Sequence, residues 1–161
     1  MKAQIAIVMG SASDMPTMKE AALLLKEFNV AFEMKVLSAH RVPDQTASFA
    51  KNLKKRDIKI VIAGAGGSAA LAGFIASLTP LPVIGIPIET SSLNGLDSLL
   101  STVQMPSGVP VGTVAIGKSG AKNAALLALR ILGLSDRKIQ EKLEKYKKQR
   151  AEQILKTKVK I

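Results

Sequence analysis

The chain has 161 residues, 47% of them hydrophobic, with no cysteine, one histidine and a formal net charge of +11. That length supports one domain with a real core, and the composition excludes disorder, a disulfide framework and a thiolate or multi-histidine metal site. Aromatic residues make up 3% and tryptophan is absent, which argues against nucleic-acid binding by base stacking. No apolar run reaches the length of a membrane span, and the first residues enter a strand-like pattern rather than a signal peptide, so a cytoplasmic protein is expected.

The charge is uneven. Ser135 to Ile161 carries ten Lys/Arg against four Asp/Glu, more than half of the net excess. A basic terminal helix reads as a solvated face, and the remaining excess favours small acidic ligands.

Gln4 to Met9 reads as a first buried strand, followed by Gly10-Ser11-Ala12-Ser13-Asp14. Ser13 is the expected N-cap of the next helix, with Asp14 at its positive end and Pro16 in its first turn. Met15, Met18, Ala22 and Leu25 then recur at helical spacing as core. Phe32, Met34 and Val36 alternate as a second strand that delivers the chain to Ser38-Ala39-His40-Arg41-Val42-Pro43. A helix from about Asp44 to Leu53 follows, ended by Lys51, Lys54, Lys55 and Arg56 as the macrodipole prefers.

Ile58 to Ala63 is a third, nearly all-apolar strand, as a parallel sheet covered on both faces requires. Gly64-Ala65-Gly66-Gly67 then leads into a small-residue helix to about Leu78. Pro82 to Ile86 is the fourth strand, and Glu89 to Gly95 a polar loop with an Asn94-Gly95 turn. A short helix runs from Leu96 to Val103, and Val111 to Ile116 gives a fifth strand. Ala121 to Leu132 reads as a helix buried on all sides. After Gly133, Ile139, Leu143, Tyr146 and Ile154 mark one face of a long charged helix. Strict strand–helix alternation means a single doubly wound parallel sheet, and five strands fit a flavodoxin-like three-layer αβα order with an extra C-terminal helix. The expected division is an α/β domain over 1–134 and a basic helical extension over 135–161, packing on another subunit.

Ligands of such sheets bind at the carboxyl ends of the strands. Gly10 to Asp14 offers backbone N–H groups and serine hydroxyls for a phosphate, and Asp14 an acceptor for ribose hydroxyls. Serine and aspartate at a helix start also serve as ordinary caps. The pattern is neither the Walker sequence nor G-x-G-x-x-G, which weakens triphosphate and dinucleotide readings. Gly64 to Gly67 allows close backbone approach to a ligand, and tight strand–helix packing explains the same glycines. His40 supplies a proton exchanger suited to neutral pH, and Arg41 a fork of donors for phosphate or carboxylate. With no nucleophilic cysteine and no Ser-x-x-Lys, proton transfer on a bound phosphorylated ribosyl compound is favoured over hydrolysis.

Four separated stretches carry a family resemblance. Ile7-Val8-Met9-Gly10-Ser11-Ala12-Ser13-Asp14, Val36-Leu37-Ser38-Ala39-His40-Arg41-Val42-Pro43-Asp44, Ala63-Gly64-Ala65-Gly66-Gly67 and Asp97-Ser98-Leu99-Leu100-Ser101-Thr102-Val103-Gln104-Met105-Pro106 resemble N5-carboxyaminoimidazole ribonucleotide mutases, from about Ile5 to about Leu132. The resemblance implies a step of de novo purine synthesis in which a carboxylate moves from the exocyclic nitrogen to a ring carbon of the imidazole. The substrate loses CO2 in a closed site and the ring carbon recaptures it, with neither ATP, metal nor organic cofactor.

By motif position His40 is the implied acid/base. Ser11, Asp14 and Arg41 are implied to bind the ribose 5-phosphate portion, with Ser13 and Ser38 beside them. The Gly64, Ala65, Gly66 and Gly67 backbone is implied to close over the carboxylate and CO2, and Ala70 and Leu71 are implied substrate-binding positions. Arg41 in place of lysine resembles the mutase class over the related AIR carboxylases that use free CO2. Homo-octamers are typical of the family.

One motif departs. The family sequence G-A-G-G-x-A-H-L-P-G has Ala70 at the histidine and Ala72 at the proline. A tolerant variant, an impaired enzyme and a ribotide-binding paralogue without turnover are the accounts left open. A flavodoxin-like electron carrier is disfavoured by the scarcity of aromatics.

Overall fold

The computed structural model describes residues 2–157. In chain order the elements are β1 (Ile5–Met9), α1 (Met15–Glu27), β2 (Phe32–Val36), α2 (Pro43–Asn52), β3 (Ile60–Ala65), α3 (Leu71–Ala76), β4 (Val83–Pro87), α4 (Leu96–Val103), β5 (Gly112–Thr113), α5 (Gly117–Gly133) and α6 (Arg137–Leu155). The five strands form one parallel sheet in the order β2-β1-β3-β4-β5. This is the flavodoxin-like order expected from five βα units.

Alternation within the strands assigns the two faces. Ala6, Val8, Val61, Ala63 and Val83 point one way and pack with Phe49, Ala50 and Leu53 around α2 and with Leu71, Ala72 and Ile75 of α3. Thr102 of α4 comes to the same face, where a Cβ on Gly85 would overlap it. The opposite face carries α1, whose Met18 lies where a Cβ on Gly64 would be. Glu20 of α1 pairs with Lys122 of α5 at 3.2 Å, placing the start of α5 on that side. β1 is buried throughout, so both faces of the sheet centre are covered and its apolar run is explained.

Register positions the functional edge. Met9 pairs with Val36 and Gly64, and Ala65 with Pro87. The ends of β1, β2, β3 and β4 are therefore level, and the loops that follow them emerge together.

Several expectations are corrected. The helix starting near Ser13 is a 3-10 turn, Ala12–Asp14, capped by Ser11, with α1 beginning at Met15. Met15 is 40% exposed and does not join the core. α2 ends at Asn52, and Lys54–Arg56 form a separate 3-10 turn. α3 stops at Ala76 rather than Leu78. The fifth strand shrinks to Gly112–Thr113, with one more ladder bond from the Val114 N–H to the Gly85 carbonyl at 3.1 Å. It is an edge strand, and beyond it the chain bends so that the Ala115 carbonyl sits against Gly120. α5 is not buried on all sides: Ala121, Ala124, Ala125 and Ala128 are buried, but Lys118, Lys122, Asn123 and Leu127 are exposed. Alanines, leucines and Ile131 are spread around that helix, so its apolar residues do not mark one inward face.

Gly120 yields a stability prediction. Any Cβ on it would overlap the Ala115 carbonyl oxygen, a backbone atom without a rotamer of its own. Gly120→Val is expected to cost about 3 kcal/mol by overpacking, read as a lowered urea midpoint. An unchanged midpoint would mean that the start of α5 shifts freely.

The chain forms two compact units, a larger one ending at Ala128 and a smaller one beginning at Leu129. In the smaller unit Asp136 caps α6, its carboxylate accepting the Lys138 and Ile139 N–H groups at 2.9 and 3.2 Å. Ile139 is buried and Leu143 and Tyr146 half-buried, but Ile154 is 72% exposed and does not continue their buried face. Of the terminal basic residues, Lys158 and Lys160 lie outside the described residues. Among the described residues no helix is long and apolar enough to cross a membrane.

Candidate active site

A cleft of about 400 Å³ opens where the first four strands end. Its walls come from four loops: Gly10 to Asp14 after β1, Ser38 to Arg41 after β2, Ala65 to Leu71 around the end of β3, and Ile88 to Thr90 after β4.

The first wall is built by a reciprocal cap. Ser11 has extended backbone (φ −149, ψ 155) and turns the chain from β1 into the 3-10 turn. Its hydroxyl oxygen accepts from the Ser13 N–H at 3.3 Å and from the Ser13 hydroxyl at 2.8 Å. The Asp14 carboxylate reaches back to accept the Ser11 N–H at 3.0 Å. Each group satisfies a donor that the start of a helix otherwise leaves open. Ser13 is thus the neighbour of the cap, not the cap itself.

Asp14 is only 8% exposed, and burial pushes its carboxyl above the usual aspartate range. The Ser11 N–H, the Ser13 hydroxyl, the Arg41 charge and the Gly10 backbone oppose that rise without cancelling it.

The second wall carries His40 and Arg41, both exposed. The Arg41 guanidinium donates to the Gly10 carbonyl at 2.6 Å, tying the loop after β2 to the loop after β1. The Arg41 N–H donates to the Ser38 hydroxyl at 3.2 Å, and the Val42 N–H to the Ser38 carbonyl at 3.0 Å. Beneath them the fully buried Thr46 donates to the Ser38 and Val42 carbonyls at 3.2 and 2.9 Å. Thr46 therefore shapes the loop that presents His40. A threonine in the first turn of a helix is a capping signal, but nothing in the sequence alone ties it to the histidine.

The third wall separates the glycines. Gly66 lines the cleft with Ala65, Ser68, Ala69, Ala70 and Leu71, while Gly64 and Gly67 are not among the lining residues. Gly64 belongs to β3, accepts the Gly10 N–H at 3.1 Å and admits Met18. Tight strand–helix packing, the alternative to ligand approach, thus accounts for Gly64. Gly67 adopts φ +66 and turns to α4, its N–H donating to the Ser98 hydroxyl at 2.9 Å. Ala70 precedes the first turn of α3 with no side-chain capping bond and presents only a methyl to the cleft.

The fourth wall, Ile88-Glu89-Thr90, is not among the residues the sequence singles out, and neither are Ser68 and Ala69. The level strand ends contain the missed signal, since the loop after β4 opens on the same edge as the other three. The Thr90 hydroxyl donates to Asp97 at 2.8 Å and accepts the Gly95 N–H at 3.3 Å, fixing the loop over the Asn94-Gly95 turn, where both residues have positive φ. Among the described residues no group of three or more His, Cys, Asp or Glu side chains is placed to hold a metal ion.

An open-edged parallel α/β domain of the flavodoxin-like class thus gathers one imidazole, a guanidinium, a buried carboxylate and clustered hydroxyls in a single cleft. The comparisons narrow that class. The AIR carboxylase family model matches residues 4–153, and the chain belongs to that family. It is 60% identical over 147 residues to the N5-carboxyaminoimidazole ribonucleotide mutase of Pyrococcus horikoshii, covering 91% of this chain and 82% of that one. It is 53% identical over 156 residues to the protein of that name in Saccharolobus solfataricus, covering 97% and 98%. Treponema denticola PurE superposes with a TM-score of 0.85 at 34% identity, covering 94% of this chain and 93% of that one.

Proposed function

We propose that the chain is an N5-carboxyaminoimidazole ribonucleotide mutase, an isomerase of purine biosynthesis. The observation that carries this reading is the convergence of His40, Arg41, Ser11, Ser13, Asp14 and Ser38 on one cleft in a member of this family. The ribose 5-phosphate portion sits against the Ser11–Asp14 turn and Arg41, where N–H groups, hydroxyls and a cation favour an anion. Asp14 accepts from a ribose hydroxyl. Ala65, Gly66, Ala70 and Leu71, which line the cleft, face the carboxylate and CO2, while Gly64 and Gly67 hold that stretch in place from outside the cleft.

The chemistry follows from one imidazole. The bond between the exocyclic nitrogen and its carboxylate breaks, releasing CO2, and protonated His40 gives that nitrogen its proton. The ring carbon then attacks CO2 to form the new carbon–carbon bond, and neutral His40 takes the proton that carbon loses. The histidine ends as it began, so no cofactor enters the balance. Enclosure keeps CO2 within reach, which is worth far more than its concentration in solution.

The purified chain is expected to convert N5-carboxyaminoimidazole ribonucleotide to 4-carboxy-5-aminoimidazole ribonucleotide without bicarbonate or ATP. A strict bicarbonate requirement would transfer it to the CO2-using carboxylases.

Ala70 supports a second reading, a variant impaired by loss of a polar group at the cleft wall. In that case Ala70→His raises turnover, whereas in the first reading it leaves turnover unchanged. We further propose a cytoplasmic homo-oligomer, an octamer by resemblance, in which the basic extension over 135–161 packs on another subunit. Support comes from Leu93, Leu96, Leu100 and Val103, all about half exposed, in a segment from Thr90 to Gly117 whose single charged residue is Asp97. Light scattering is expected to give a mass several times the 17.0 kDa chain.

A further inference from the structure

We propose that Ser98 is a positioning residue, tethering the loop after β3 to the end of β4 and so fixing the cleft wall against the reacting carboxylate. The kinetic consequence rests on the mutase reading; the tether does not.

Ser98 is wholly buried in α4. Its hydroxyl donates to the Ile88 carbonyl at 2.7 Å and accepts the Gly67 N–H at 2.9 Å. Those two partners belong to different walls: Ile88 lines the cleft from β4, and Gly67 stands between the lining residues Gly66 and Ser68. One hydroxyl therefore sets the spacing of both. Ser101 adds a longer bond to the Gly67 carbonyl at 3.3 Å, so α4 holds Gly67 from its donor and its acceptor sides.

The orientation of α4 points the same way. Its buried residues are Ser98 and Thr102, while Leu96, Leu100 and Val103 are 51%, 50% and 48% exposed. Burial of apolar surface alone would turn the helix over. Thr102 packs on Gly85 and donates to the Ser98 carbonyl at 2.7 Å, which seats Ser98 close to the sheet. Gly67 itself is a glycine for its φ of +66 rather than for space, since a Cβ there would meet nothing within 4 Å. The loop thus holds a conformation that other residues resist, and the Ser98 hydroxyl is its fixed anchor.

A hydroxyl that only satisfied buried backbone groups would affect stability and nothing else. A positioning hydroxyl affects the chemical step. In the full chain, Ser98→Ala is expected to lower kcat for N5-carboxyaminoimidazole ribonucleotide about tenfold, because small misplacements at a reacting centre are amplified. KM should stay within about twofold, since the phosphate-facing turn after β1 is untouched. Hydrogen exchange of the Gly67 amide should accelerate in the same variant.

Should Ser98→Ala fail to fold, Gly67→Ala perturbs the loop by its positive φ without a clash, and the same split of kcat from KM is expected. Parental kcat in a folded Ser98→Ala protein would overturn the proposal. So would a loss of kcat with Gly67 exchange as slow as in the parent. If the parent itself does not turn over the substrate, the mutase reading fails separately, and unchanged Gly67 exchange in Ser98→Ala overturns the tether.

Discussion

His40→Asn is expected to lower turnover by roughly 10² to 10⁴, the range for removing a positioned general acid–base, and to leave the thermal midpoint where it was. The two halves follow from different facts. His40 is exposed and lies in a loop whose shape is set by Thr46, Ser38 and Arg41, so its ring carries little of the fold. Asparagine fills similar space and keeps a donor, but it cannot take up and return a proton. In the proposed reaction one proton must reach the exocyclic nitrogen and another must leave the ring carbon. No other imidazole exists in the chain to replace His40. Steady-state kinetics beside a melting curve checks both halves. Turnover within threefold of the parent would remove His40 from the mechanism.

Asp14→Asn is expected to separate binding from stability in opposite directions. Burial raises the Asp14 carboxyl above its unfolded value. A carboxyl with a raised folded pKa contributes stability that is fully present below the unfolded value and is lost as pH rises through the folded one. At pH 7 the ionised group is therefore a net cost to the fold. Asparagine removes that cost and keeps an oxygen for the Ser11 N–H, so the variant should melt no lower than the parent at pH 7. Its advantage should shrink as pH falls toward the acid range where Asp14 protonates.

Binding goes the other way. A buried charged acceptor for a sugar hydroxyl is worth about 1.5–3 kcal/mol, or roughly 10- to 100-fold in KM. A variant with parental KM would show that Asp14 serves only the capping box. One that melts well below the parent at pH 7 would contradict the sign of the burial effect.

Much of this was legible in the sequence, for identifiable reasons. β1 and the third strand are almost wholly apolar, as strands covered on both faces are, and the alternation of five strands with helices points to the flavodoxin-like order. The boundaries of α4 were readable because Asn94-Gly95 requires a turn with two positive φ values. Its orientation was not: the leucines of Leu96–Val103 suggest an inward apolar face, yet Ser98 and Thr102 take that place through hydrogen bonds to distant backbone groups. The fifth strand was overextended because a run of apolar residues does not reveal where an edge strand loses its partner.

At the site, chemistry was more legible than architecture. His40, Arg41 and the serine-rich turn stand out by residue type. The exchange of the capping role from Ser13 to Ser11 depends on the reach of the Asp14 side chain, which local spacing leaves open. The glycines were grouped because they are adjacent, although Gly64 makes room for Met18, Gly66 lines the cleft and Gly67 answers to α4. Glu89 and Thr90 were missed as cleft residues because nothing in their own segment marks them, and only the sheet register brings them to the edge.

The central claim is that the carboxylate carried in by the substrate is the one found on the ring. Supplying substrate with a ¹³C-labelled N-carboxylate in buffer containing unlabelled bicarbonate tests it directly. The account predicts product that retains the label through the first turnovers, because the CO2 is recaptured before it escapes. Product carrying unlabelled carbon from the buffer would contradict it and assign the chain to carboxylation from free CO2.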